Sequence, residues 1–298
     1  MTKHIDVVIV GAGPAGLAAG KAVGEAGLTC LVIDRMGPGG QLMNMGIVHD
    51  MPGLEPGTTG PDLIGKLLDA AMAAGAEIAV DEVTGIEGES PFTMTTSEGP
   101  IAATAVIVAT GLDKGTTGLP DEGDFEGRGV SHCAICDGPL YAGKRVVVVG
   151  SDRWAAQEAI DLASIVQHVT LVSDGPPGAM LASQRTALAG ASNVTLTEGR
   201  VTKVAGDGAL DTVTIGNARI PAAGLFVFSN RRPATGFLAG LLATAGTGHI
   251  EASAGGATCI PGVFTCGDVA NPDDRIATAV ADGAKAGQTA ALWVGEKF

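Results

Sequence analysis

Residues 6–20, DVVIVGAGPAGLAAG, run from a β-branched stretch through closely spaced glycines into an alanine-rich helical pattern. This succession constrains the fold more than any other feature, because strand, glycine turn and helix in that order open a βαβ unit. Residues 145–159, RVVVVGSDRWAAQEA, repeat the plan. A second apolar strand follows each copy: residues 29–34 (TCLVID) and residues 168–172 (HVTLV). Continuous Val and Ile runs suit strands buried on both faces, and strands alternating with helices imply parallel sheets. The chain is therefore expected to be α/β, with two doubly wound, Rossmann-like dinucleotide-binding domains. The stretch from Gly262 onwards reads as a strand (VFTC), then Gly267-Asp268, then a long alanine-rich helix, and that strand needs a sheet to join. Inserting the second domain into the first meets this need. Residues 1–114 and 246–298 would form one domain and residues 115–245 the other, with linkers near Gly115 and Gly246.

In the first copy, Gly11-Ala12-Gly13-Pro14-Ala15-Gly16 satisfies G-x-G-x-x-G between a strand and a helix. The first glycine permits the tight turn, the second lets backbone approach a pyrophosphate, and the third lets helix and strand pack closely. The helix start would present free N–H groups to the phosphates. Asp34, at the end of the next strand, is placed to accept a hydrogen bond from a ribose hydroxyl. The other end of the chain favours FAD over NAD. Gly267-Asp268 follows a strand, where α/β sheets bind ligands, so Asp268 could accept from a ribityl chain. A helix beginning near Ile276 would direct its positive end at the flavin.

Composition narrows the remaining classes. The formal charge of -14 argues against nucleic acid and anionic membrane surfaces as partners. Two Trp and one Tyr leave few platforms for stacking bases. The apolar start lacks a basic n-region and cleavage site, and no stretch near it is long enough to span a bilayer, so a cytoplasmic protein is expected. Five cysteines in 298 residues are no disulfide scaffold. Cys30, Cys259 and Cys266 stand alone, while Cys133 and Cys136 are spaced as Cys-x-x-Cys.

Several stretches in the same order, over nearly the whole length, resemble the low-molecular-weight thioredoxin reductases. They are Gly11–Gly16, Gly39-Gly40-Gln41-Leu42, Met51-Pro52-Gly53, Ala109-Thr110-Gly111, GRGVSHCAICD at residues 127–137 and GVFTCGDV at residues 262–269. The resemblance implies an FAD domain made from both ends of the chain, an inserted pyridine-nucleotide domain carrying a redox disulfide, and a homodimer. It extends the expected cofactor contacts to Arg35, Gly40, Gln41, Leu42, Ala109, Thr110, Gly111, Arg275, Ile276 and Ala277. It also implies roles for the cysteine motif. Cys136 would face the flavin, Cys133 would attack the external substrate, and Asp137 would protonate the leaving thiolate. Two readings compete for the pair: two buried inert thiols, and half a zinc site, although zinc needs four ligands and no second pair stands at ligand spacing; His132 alone is insufficient. Asp137 itself could otherwise be a surface turn acid before Gly138.

The second glycine motif departs from the family. Gly150 is kept, but Asp152 occupies the second glycine position and would place an uncompensated carboxylate near a pyrophosphate unless Arg153 offsets it, with Trp154 adding bulk. Val172-Ser173-Asp174-Gly175 after the next strand carry no cation for a 2′-phosphate. Ser229-Asn230 is a third departure. Asp174 could instead read an unphosphorylated ribose in an NADH enzyme. Because a changed ribose reader does not relieve a blocked pyrophosphate site, the expectation is FAD without NADPH. Electrons would pass between a ferredoxin- or flavodoxin-like donor and a thioredoxin-like protein or a small dithiol or disulfide. A conventional NAD(P)H enzyme, an O2-using dithiol oxidase and a non-catalytic flavin sensor remain as alternatives.

Overall fold

The computed structural model describes residues 4–175 and 180–297. The chain divides into two compact units, Met1–Asp113 with Arg232–Phe298, and Lys114–Arg231. The first begins with β1 (His4–Val10), α1 (Pro14–Glu25), β2 (Cys30–Asp34), α2 (Gly60–Ala73), β3 (Ala76–Val80), β4 (Val83–Glu87), β5 (Phe92–Thr96) and β6 (Ile101–Val108). Along β1 the alternate residues Val7 and Ile9 enter one hydrophobic cluster while Val8 and Val10 enter another. Burial on both faces is why this strand is apolar without interruption. A capping box starts α2, in which Thr59 accepts from the Asp62 N–H and the Asp62 carboxylate accepts from the Thr59 N–H.

The second unit contains β7 (Val130–Ser131), α3 (Ala134–Asp137), β8 (Arg145–Val149), α4 (Arg153–Ala163), β9 (His168–Ser173), α5 (Ala182–Gly190) and β10 (Val194–Glu198). A small antiparallel sheet of β11 (Val201–Ala205), β12 (Thr212–Ile215) and β13 (Ala218–Pro221) precedes β14 (Gly224–Val227). The main sheet has the order β10-β9-β8-β14-β7 and is parallel throughout.

The chain then returns to the first unit with β15 (Val263–Thr265) and α6 (Ile276–Gly295). The expected late strand does find a sheet there. β15 runs parallel to the end of β6, pairing Val263 with Val106, while β5 runs antiparallel to the start of β6. The full order is β3-β2-β1-β6 followed by β5-β4, with β15 beside β6. Helix α6 packs against α1 through small residues. A Cβ at Gly283 would collide with the backbone of Ala15, so the crossing depends on that hydrogen.

One expected boundary is corrected. The return to the first unit falls at Arg232 instead of Gly246. Residues 232–245 belong there because the Asp113 N–H donates to the Arg232 carbonyl at 2.7 Å, the Ala234 N–H donates to the Gly111 carbonyl, and Leu238 and Leu242 enter the cluster around Val8 and Val10. Among the described residues no helix is long and apolar enough to cross a membrane.

Candidate functional site

The first glycine loop has the shape a dinucleotide needs. Gly11 holds φ at +107°, and a Cβ there would strike the Ala109 carbonyl oxygen, so only glycine closes this turn. A Cβ at Gly16 would strike the Gly11 carbonyl. Gly13 differs, because its missing side chain faces open space whose nearest atom is the Gly40 Cα at 4.0 Å. Gly13 and Pro14 are also the motif members that reach the surface. The loop is therefore locked from behind and bare in front, which fits the approach of a pyrophosphate to the start of α1.

Asp34 fixes this loop. One carboxylate oxygen accepts the Ala12 N–H and the other the Met36 N–H, each at 2.9 Å. The Gly39 N–H donates to the Ala12 carbonyl, which brings Gly40 opposite Gly13. Of the other expected contacts, Arg35 is exposed, and Gln41 is half-buried. Leu42 is a core residue, 2% exposed, so only its backbone is placed to face a ligand. Ala109 is buried and Gly111 half-buried, and the Thr110 hydroxyl donates to the Ala234 carbonyl. Gly267 is buried and Asp268 half-buried in a short turn after β15. Arg275 is the N-cap of α6, with Ile276 buried and Ala277 half-buried behind it. The sequence reading missed Asp50, whose carboxylate accepts the Ile276 N–H at 3.2 Å and so holds part of the helix start expected to face the flavin. It lies next to the Met51-Pro52-Gly53 stretch, the one local signal that could have drawn attention to it.

In the second loop the expectation for Asp152 needs correction, because its carboxylate is compensated. Oδ1 caps α4 by accepting the Ala155 N–H at 2.8 Å, and Oδ2 pairs with the Arg231 guanidinium at 2.7 Å. Arg231 is nearly buried and lies over the Trp154 ring, 5.6 Å from its centroid. A cation distant in sequence thus neutralises Asp152, which no local pattern announced. Val172 and Ser173 are buried at the end of β9, Asp174 and Gly175 are half-buried after it, and the Ser173 hydroxyl donates to the Gly175 carbonyl.

Cys133 and Cys136 are joined in a disulfide with Cα atoms 5.4 Å apart. Cys133 caps α3, its sulfur accepting the Cys136 N–H at 3.1 Å. The Ser131 hydroxyl accepts the Cys133 N–H and donates to the Asp137 carboxylate at 2.7 Å, so strand end, cysteine turn and acid are tied together. Beside them, Glu126 accepts from Lys114 and lies 3.0 Å from His132 Nε2. Cys133 is buried and Cys136 exposed. Behind the pair, the buried Glu158 of α4 accepts the Ala134 N–H at 2.9 Å. Its burial, more than the nearby Asp161 carboxylate, pushes its carboxyl up to about 8, against the pull of the Ala134 N–H and Arg231. Arg231 and Glu158 were not foreseen, since each acts through a contact far away in sequence, and Ser131 was missed although its partners lie only two and six residues away. Among the described residues no group of three or more His, Cys, Asp or Glu is placed to hold a metal.

Residues 5–286 match the family model of the pyridine nucleotide-disulphide oxidoreductases. A thioredoxin reductase from Listeria monocytogenes is 34% identical over 99% of this chain and 95% of its own length. The crystal structure of Lactococcus lactis thioredoxin reductase superposes with a TM-score of 0.93 at 30% identity, covering 98% of this chain and 99% of that one. A ferredoxin-flavin thioredoxin reductase from Clostridium acetobutylicum superposes with a TM-score of 0.54 at 28% identity, covering 100% and 99%. With the glycine loop, the paired units and the Cys-x-x-Cys disulfide in place, the chain belongs to the low-molecular-weight thioredoxin reductase family of FAD-dependent disulfide oxidoreductases.

Proposed function

We propose that this chain moves electrons between FAD and the Cys133–Cys136 disulfide, and on to a thioredoxin-like protein or a small dithiol or disulfide, with a ferredoxin- or flavodoxin-like electron partner in place of NADPH. FAD, when bound, supplies the two-electron redox centre. The first glycine loop and Asp34 hold its dinucleotide half, with Asp268 and the start of α6 at the other end. Asp137, held by Ser131, protonates the leaving thiolate. Cys133 meets the substrate and Cys136 the flavin. We further infer a cytoplasmic homodimer.

The observation that carries the choice of electron partner is the Asp152–Arg231 pair. The Ala155 N–H and the Arg231 guanidinium are the donors a pyrophosphate would use, and the protein's own carboxylate already holds both. A nucleotide must displace that carboxylate and then finds no Arg or Lys among residues 172–175 for a 2′-phosphate. Losing about 3–4 kcal/mol in this way weakens binding more than a hundredfold. The ferredoxin-flavin thioredoxin reductase from Clostridium acetobutylicum has the same overall fold. A conventional NAD(P)H-dependent enzyme is the second reading, favoured by relatives named simply thioredoxin reductase. An anaerobic titration separates the two: NADPH or NADH is added and the flavin absorbance followed, with dithionite as positive control. Neither nucleotide should bleach the flavin at a useful rate. Fast stoichiometric bleaching by either would return the protein to the second reading.

A further inference from the structure

Glu158 is a buried acid behind the cysteine turn. It is one of the buried residues of α4, with Ala155, Ala159 and Leu162, and α4 packs against α3. Its carboxylate makes one contact with the redox motif, and that contact is to Ala134, between the two cysteines. A glutamine would satisfy the same N–H without the cost of burying a charge. An ionisable group is kept at the back of the cysteine helix instead.

We propose that Glu158 is a positioning residue for the Cys133–Cys136 pair, fixing the first turn of α3 and coupling its own proton to thiolate formation at the cysteines. The proposal rests on the reading of this pair as the flavin's redox partner. Opening the disulfide takes two electrons, supplied under that reading by the reduced flavin. It breaks the S–S bond and takes up two protons from solvent to leave two thiols. Either thiol can then lose its proton. A carboxylate behind α3 disfavours that loss, and a neutral carboxyl does not. The other charged groups are Asp161 on α4, Arg231 after β14, which is shared with Asp152, and Asp137 at the end of α3. Neither Asp161 nor Asp137 can relieve the effect, because both are acids. Burial holds the Glu158 proton up to about 8, inside the range where such thiols ionise, so the two losses compete.

The test is the pH profile of iodoacetamide alkylation in chemically reduced holoprotein carrying Cys259→Ser, with the modified cysteine located by mass spectrometry. Cys259 is the exposed free thiol, while burial pushes Cys30 up to about 12 and Cys266 well above its ordinary range. At pH 6 Glu158→Gln should alkylate at the wild-type rate, since Glu158 there carries its proton. Between about pH 8 and 9 it should alkylate measurably faster, about 1.5-fold for one pKa unit of coupling, and the two rates should converge again once both proteins are fully thiolate. The wild-type profile should be stretched over two steps and the Gln profile should show one. Glu158→Ala, which strips the acceptor from the Ala134 N–H, should also lose disulfide re-formation rate that Gln restores. An equal change at both pH values, or none at pH 8, would overturn the coupling. Should the Gln variant not fold, a one-step wild-type curve would overturn it alone. A pair that stays oxidised while dithionite reduces the flavin would sink the underlying reading, and leaves the thiol profile free to be judged separately.

Discussion

Asp152 binds the first turn of its own helix and a guanidinium from the far end of the unit, and the two bonds can be separated by substitution. Asp152→Asn keeps a good N-cap but drops the ion pair, whereas Asp152→Ala drops both. The Ala variant should lose about 1 kcal/mol more than the Asn variant in urea unfolding, the usual worth of a cap. Equal losses would mean that the cap seen here does not stabilise α4. Combining Asp152→Gly with Ser173→Arg and Asp174→Arg removes the carboxylate from the helix start and adds cations, so NADPH reduction of the flavin should partly appear. Glu158 carries a stability consequence as well. Its raised carboxyl keeps a proton in the folded chain between 4.5 and about 8 that the unfolded chain has released. The folded state then binds more protons, so this group costs stability as pH rises through that window, on the order of a few kcal/mol in total. Thermal unfolding of Glu158→Gln should show a flatter pH dependence and a higher midpoint at the alkaline end. Superimposable curves would count against the raised carboxyl. For the cysteines, Cys133→Ser should leave a Cys136 thiolate that shows long-wavelength absorbance against oxidised flavin, and Cys136→Ser should not. The reverse would exchange the two roles.

At the scale of elements, much was legible because the signals are local. Strand, glycine turn and helix lie within a dozen or so residues, and the constraints at Gly11 and Gly16 come from backbone a few residues or one strand away. Gly13→Trp should abolish flavin binding with little effect on folding, since its Cβ direction is open; full flavin content would overturn the site assignment. By contrast, Gly283→Val should unfold the first unit or expel its last helix, because there is backbone in the way. What could not be read were the partners that topology brings together: Arg231 with Asp152, Glu158 with Ala134, and Asp50 with Ile276. Each pair joins residues from different elements, and no periodicity or spacing records it. The Gly246 boundary was missed for the same reason, since residues 232–245 are irregular and are claimed for the first unit by a few hydrogen bonds and two leucines.

At the scale of the molecule, the purified protein should be yellow, with about one FAD per chain, because a single intact fingerprint is present. The insertion itself has a testable side. The chain leaves the first unit at Asp113 and re-enters it at Arg232, and these residues are hydrogen-bonded to each other, with Leu112 and Pro233 bridged just behind them. The inserted unit begins and ends just as closely, the Thr116 N–H donating to the Ser229 carbonyl. Both halves of the junction are thus already tied by their own bonds, and a long excursion closed at such a point adds little further entropy cost. A junction of this kind is a ready site for grafting. Replacing residues 114–231 by a short Gly-Ser linker should leave a yellow, folded remnant, and exchanging them for the matching segment of an NADPH-using relative should give a chimera whose nucleotide preference follows the graft.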